Sequence, residues 1–193
     1  MTQIQMILPA VIAGFLLDLL IGDPRWLYHP VRMIGKLISG LEAVIRRVFP
    51  KNKAGERLGG GLLAILVMAV STGIPWLLLW LCYNRIGWWA GFLLETFWCY
   101  QLLATKALKV ESMRVYEALK KDTLESARKT VAMIVGRDTQ SLSEAGVAKA
   151  AVETVAENTS DGVIAPLLFL MIGGAAGGFF YKSINTMDSM IGY

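Results

Sequence analysis

The stretch from Gly60 to Cys82 carries no charged residue at all. It is long enough to cross a hydrocarbon layer of roughly 30 Å as a helix. An uncharged run of this length restricts the chain more than any other feature, because inside a bilayer every backbone polar group must be satisfied within the segment. Three further apolar stretches accompany it. Ile4 to Ile21 is interrupted only by Gln5, Pro9 and Asp18, Ile86 to Ala104 only by Glu95, and Val163 to Phe180 has no charge but has glycines at 173, 174, 177 and 178. Residues of the set AVILMFWYC make up 55% of the chain against 18% charged, and mean hydropathy is +0.51. That composition leaves too little polar surface for a water-exposed domain. It also argues against disorder, a disulfide-stapled secreted fold and nucleic-acid binding. The first stretch lacks a basic leading region and a small-x-small cleavage site, so it reads as a retained span.

Basic residues set an orientation. Residues 22–59 and 105–162 hold seventeen of the nineteen Lys and Arg, and residues 1–21 hold none. By the positive-inside rule these two loops are cytoplasmic, and the Tyr83–Arg85 turn lies outside. Both loops read as helical. In the first, Met33, Ile34, Leu37, Ile38, Leu41, Val44, Ile45 and Val48 form one apolar face. That face suits either the inner membrane surface or packing against the spans. In the second, residues 105–121 continue the third span, Asp122–Glu125 resembles a helix start, and Ser141-Leu142-Ser143-Glu144 has a capping-box pattern opening a helix to about Asn158. The expected class is therefore all-α: a polytopic integral membrane helical bundle with helical cytoplasmic loops, forming a single domain over 1–193.

Three polar clusters interrupt this apolar pattern. Gly22 to Arg32 holds Asp23, Arg25, His29 (the only histidine) and Arg32, stiffened between Pro24 and Pro30. Glu153 and Glu157 share one helical face. They sit near a helix C-terminus, where carboxylates oppose the dipole unless a cation compensates. Asn158 and Asp161 add oxygens just beyond, a donor set that suits Mg²⁺ held together with substrate phosphates. Asn185, Thr186, Asp188 and Ser189 form the third. Each cluster has a plainer reading, as an interfacial loop, a solvated face pairing Lys149 with Glu153, or a helix cap. Asp18 sits near a span end and within reach of water, whereas Glu95 at mid-span requires a partner or a cavity. No P-loop, dinucleotide fingerprint or H-E-x-x-H occurs. Cys82 and Cys99 lack ligand spacing, so neither zinc nor haem is expected.

Taken in order, the clusters resemble the signatures of adenosylcobinamide-phosphate synthase, the CobD/CbiB family of cobalamin biosynthesis. The matching segments are Gly22-Asp23-Pro24 with His29 to Gly35, Val135 to Thr139, Glu153 to Pro166, and Lys182 with Ile184 to Tyr193. Family members continue well beyond the last signature, so the resemblance implies the N-terminal part of a longer protein. It further implies a membrane enzyme that joins a carboxyl of adenosylcobyric acid to aminopropanol or its O-phosphate as an amide, driven by ATP with Mg²⁺. On this sequence Asp23, His29, Glu153, Glu157 and Asp161 are the catalytic candidates, with Glu157 and Asp161 as metal ligands. Arg25, Arg32, Arg137, Asp138, Asn158, Asn185 and Asp188 are the candidates for holding the corrinoid. A transporter subunit or a scaffold for a corrinoid pathway is the rival reading, since a glycine break and an intramembrane acid are features of transporters. The glycines also predict that 163–180 breaks or re-enters, bringing Asn185 and Asp188 near Asp161 and the first loop.

Overall fold

A computed structural model describes residues 3–24, 26–136 and 138–192. All regular structure among them is helical: α1 (Gln3–Ile21), α2 (Pro30–Val48), α3 (Lys53–Leu81), α4 (Trp88–Gln101), α5 (Thr105–Lys121), α6 (Leu124–Ala132), α7 (Glu144–Thr159) and α8 (Ala165–Ile191). Two π-helical turns, Cys82–Ile86 and Ser160–Ile164, join α3 towards α4 and α7 to α8. Three helical stretches are long and apolar enough to cross a membrane: Gln3–Ile21, Lys53–Ile86 and Glu144–Ile191. Their outer faces present Leu8, Ile12, Leu16, Ile65, Trp76, Leu168 and Ile172. A water-soluble protein would bury such rows, whereas lipid accommodates them. The protein is an all-α membrane helical bundle.

The main core lies between α1, α2, α3, α4 and α8, with Val11, Ile38, Val67, Leu79, Leu103 and Leu170 at its centre. The amphipathic α2 spends its apolar face here: Ile34 and Ile38 are buried, and Leu41 and Ile45 pack on the same core. Gly59 of α3 permits this approach, because a Cβ there would press on Ile45. His29 caps α2 by accepting the Val31 N–H, and Pro30 occupies the first turn. A second, smaller core joins α5, α6 and α7 through Val115, Ala127, Val131 and Val147.

Several local expectations change. The 86–104 stretch yields a helix of only 14 residues, about 21 Å long. Residues 102–104 then leave the helix, so α5 is a separate element rather than a continuation. Its N-terminus has no cap of its own, and the Thr105 N–H is accepted by Asp18 Oδ2 at 2.8 Å. Asp18 is accordingly fully buried and does not reach water. A carboxylate at a helix N-terminus meets the favourable end of the dipole. α7 is capped by Ser143, which accepts the Gly146 N–H, not by Ser141. The Leu142 N–H is already committed to a turn with Thr139, which moves the helix start by two residues.

α8 is two limbs. Gly173 and Gly174 are non-helical, with Gly174 at φ 59°, ψ −155°, a region that is essentially glycine-only. The chain turns back there. Phe169 stacks on Tyr181 with ring centroids 5.2 Å apart, and Gly177 and Gly178 lie so close to Phe169 and Leu170 that a Cβ at either would collide. Glu95, fully buried on α4, supports the turn. Its Oε2 accepts the Tyr83 hydroxyl at 2.7 Å, and the carboxylate faces the backbone N–H of Ala175, where the returning limb begins.

Candidate functional site

The π-turn at Ser160–Ile164 and the proline after it create the central feature. The Ala165 N–H is taken by the Ser160 carbonyl. Pro166 has no N–H to reach back to Asp161 or Gly162. Two carbonyls at the membrane-helix entry are thereby released, and both are used tertiarily. Gly162 O accepts the Ala104 N–H at 3.1 Å, which pins the α4–α5 break. Asp161 O accepts Lys182 Nζ at 3.1 Å from the returning limb of α8. The Asp161 side chain is held by the same limb, with Oδ1 accepting the Tyr181 hydroxyl at 3.3 Å and Oδ2 accepting Asn185 Nδ2 at 3.2 Å. π-turns inside helices are frequent at functional sites.

The first loop is pinned by α4 and α5. Tyr100 donates its hydroxyl to Gly22 O at 2.6 Å, and Gln101 Nε2 donates to Tyr28 O at 3.2 Å, so α4 fixes both ends of the loop. Gly22 has φ 70° with Lys106 against it, and Lys106 Nζ donates to Leu20 O at 2.5 Å. Within the loop, His29 Nε2 lies 3.9 Å from Asp23 Oδ1, both side chains about one-third exposed or less. Because Nδ1 of His29 accepts the Val31 N–H, the neutral ring carries its proton on Nε2, facing Asp23. Burial lowers the His29 pKa, and the charges of Lys182 and Arg32 lower it further. The imidazole is therefore neutral at pH 7, and the 3.9 Å contact is no ion pair there. Asp23 is shifted the other way: burial and the Asp18 carboxylate raise its pKa, while Lys182 opposes them. A carboxylate with raised basicity beside a fixed N–H donor is an arrangement suited to accepting a proton.

The remaining candidates divide. Asn185 joins Asp161 directly, and Arg32 stands exposed on the first turn of α2 beside His29. Asp188 is exposed one turn beyond Asn185. Glu153 is exposed on α7 with Lys149 at 3.7 Å, Glu157 is exposed one turn later, and Asn158 donates to its own helix at Thr154 O. Asp138 accepts the Gln140 N–H in the α6–α7 connection. Arg25 and Arg137 lie outside the described residues. Lys182, with only 8% of its surface exposed, was not among the sequence candidates. The signal for it was present, as the only cation after residue 162 in an apolar context.

No group of three His, Cys, Asp or Glu side chains among the described residues gathers as metal ligands. Both Asp161 oxygens already accept hydrogen bonds. Glu157 and Asp161 therefore form no all-protein cage for Mg²⁺, whereas an ion shared with substrate phosphates needs only one or two carboxylates. Beside the site a groove of 790 Å³ runs between α1, α5 and α6, lined by Leu19, Lys106, Lys109, Met113, Arg114 and Met133.

Fold and site together define a polytopic helical membrane protein with a buried ionisable centre where α1 ends and α2 and α5 begin. The chain belongs to the CobD/CbiB family: the profile described as CobD/Cbib protein matches residues 11–193. It is 50% identical over 184 residues to the cobalamin biosynthesis protein CobD of Clostridium tetani, covering 95% of this chain and 57% of the relative. The CobD protein of Geobacter metallireducens is 49% identical over 183 residues, covering 95% and 56%. The cobalamin biosynthesis protein CbiB of Salmonella typhimurium is 43% identical over 180 residues, covering 93% and 56%. The chain thus spans 56–57% of the length of these relatives. No solved structure gives a significant match.

Proposed function

We propose that this chain carries the reaction centre of a cobalamin-biosynthesis ligase of the cell inner membrane. In this reading it joins a carboxyl of adenosylcobyric acid to the amine of aminopropanol, or of its O-phosphate, with ATP as the driving co-substrate. The observation that carries the reading is the gathering of Lys182 and Asn185, from the returning limb of α8, on the Asp161 turn, with the Lys182 charge also acting on Asp23 in the first loop. Amide formation needs the carboxyl activated by transfer of the ATP γ-phosphoryl group, so that ADP forms. Phosphate then departs with the carboxyl oxygen as the C–N bond is made, and the attacking amine must be deprotonated. Asp23 takes the amine proton, and the neutral His29 ring lies beside that carboxylate at 3.9 Å. Arg32 meets the anionic groups of the substrates. The adjoining groove, apolar with a basic wall, seats the corrinoid.

The test is conversion. The protein at its full natural length, in membranes, is expected to turn adenosylcobyric acid plus aminopropanol phosphate into the amide only when ATP is present. Product formation without ATP, or none with it, contradicts the reading. A corrinoid carrier is the second reading, and it would move corrinoid across vesicles without forming an amide. Glu95, which favours a carrier at the level of sequence, is instead bonded to Tyr83 under the α8 turn.

The site faces the cytoplasm in this reading, as the distribution of Lys and Arg requires. With Cys82 and Cys99 replaced, Asn84→Cys is expected to react with an impermeant thiol reagent outside intact cells, and Lys129→Cys only after lysis. The reverse pattern would invert the orientation.

A further inference from the structure

Two buried oxygens where α1 meets α5, Asp18 Oδ1 and Thr105 Oγ1, have no hydrogen-bond partner among the described residues. Asp18 is fully buried in the last turn of α1. Its other oxygen, Oδ2, accepts the Thr105 N–H at 2.8 Å. That bond fixes the side chain, and Oδ1 cannot turn towards another donor without giving it up. A buried polar atom left unpaired is costly, and each one in a folded protein calls for a cause. The adjacent donors do not supply a partner. Lys106 Nζ donates to Leu20 O at 2.5 Å, and the Gly22 N–H goes to the Asp18 backbone carbonyl.

Thr105 connects this pair to the 790 Å³ groove, which it lines together with Leu19 and Lys106. The acids elsewhere in the groove are already engaged: Glu117 pairs with Lys121, and Asp122 accepts the Ser126 hydroxyl. We propose that Asp18 and Thr105 form an acceptor subsite of the groove that takes a primary carboxamide from the rim of the corrinoid, its N–H₂ shared between Asp18 Oδ1 and Thr105 Oγ1. The proposal rests on the reading of the groove as the corrinoid seat. Two acceptors on adjoining side chains call for a group with two N–H donors. A hydroxyl brings one, and an ester or an ionised phosphate brings none. An ammonium brings three, but its charge would enter beside Lys106 and Lys109 and at the positive end of the α5 dipole. A primary carboxamide supplies two donors without charge, and the corrin rim carries several. Both oxygens lie beneath the groove surface. Rotation of the Thr105 side chain about χ1 admits the amide while its N–H stays bonded to Asp18.

The experiment measures equilibrium binding of adenosylcobyric acid to the full-length protein in detergent, read by ultrafiltration and corrin absorbance. Thr105→Val removes the hydroxyl at nearly constant volume and keeps the N–H that Asp18 holds. Asp18→Asn keeps an oxygen for that N–H but turns a donor towards the amide. Each is expected to weaken binding about tenfold, and Thr105→Ser to restore it. Thermal melts of each variant separate loss of the subsite from loss of the fold. The second ligand is an analogue with methyl esters in place of the side-chain carboxamides. It is expected to bind the wild type more weakly and to bind Thr105→Val as well as it binds the wild type. Undiminished binding of adenosylcobyric acid to both variants would overturn the proposal and leave the two oxygens to a buried water. Weakened binding of aminopropanol phosphate with corrinoid binding intact would also overturn it, by assigning the pair to the amine substrate. A wild type that binds no corrinoid would do the same. If the wild type binds the corrinoid but forms no amide, and the variants bind it about tenfold more weakly, the ligase reading fails and the subsite stands.

Discussion

Gly174→Val is expected to remove nearly all folded protein from the membrane, whereas Gly173→Ala should be tolerated. At Gly174 the backbone lies in a region that side chains almost never occupy, and a Cβ there would collide with Glu95 Oε1. Strain of this kind costs on the order of 1–3 kcal/mol. Displacing the buried Glu95 side chain from its hydrogen bond to Tyr83 adds roughly 1–3 kcal/mol. Against a net stability of about 5–15 kcal/mol for an ordinary domain, that sum is a large fraction of the whole. Gly173 has φ −124° and open space where a Cβ would go. Size-exclusion profiles and thermal melts of detergent-solubilised protein read the difference. A Gly174→Val protein that elutes and melts like the wild type would mean that the α8 reversal does not depend on this residue.

The second large effect is chemical. Asp23→Asn keeps the size and the hydrogen-bonding reach of the side chain but cannot accept the amine proton, so turnover should fall by about 10²–10⁴-fold. His29→Asn is the informative companion. Asparagine is a good helix N-cap, so α2 should stay folded while the Nε2–H donor is lost, and turnover should fall with the melting temperature little changed. Glu157→Gln is the comparator, since Glu157 is exposed on α7 outside the converging set. Turnover that drops as far in Glu157→Gln as in Asp23→Asn would relocate the chemistry to α7.

Much of this architecture was legible in the residues. Uncharged runs fix helices in lipid because nothing else satisfies the backbone there, and α1 and α3 follow them closely. The glycines at 173 and 174 read as a break for the same steric reason that the structure displays. What was not legible depends on contacts between distant segments. Asp18 looks like a span-end acid until Thr105, far along the chain, supplies the N–H that it caps. The interruption at residues 102–104 has no proline or glycine to announce it, and it is fixed instead by the Gly162 carbonyl. The site shows the same division. Asp23, His29, Asp161 and Asn185 stood out as polar residues in apolar surroundings. The role of Lys182 follows from a carbonyl released by a π-turn and Pro166, which no local pattern records. Glu153 and Glu157 illustrate the converse: their i,i+4 spacing suggests a ligand pair, yet their face of α7 is exposed.

The claim on which the rest depends is that the returning limb of α8 brings its polar end back to the face that carries the first loop. With Cys82 and Cys99 replaced, Trp26→Cys and Ser189→Cys place thiols at exposed positions of the two segments. Labelling with an impermeant reagent is expected to miss both in intact cells and to reach both in inverted membrane vesicles. Labelling of position 189 from outside, with position 26 reached only from inside, would put the two segments on opposite faces and contradict the account.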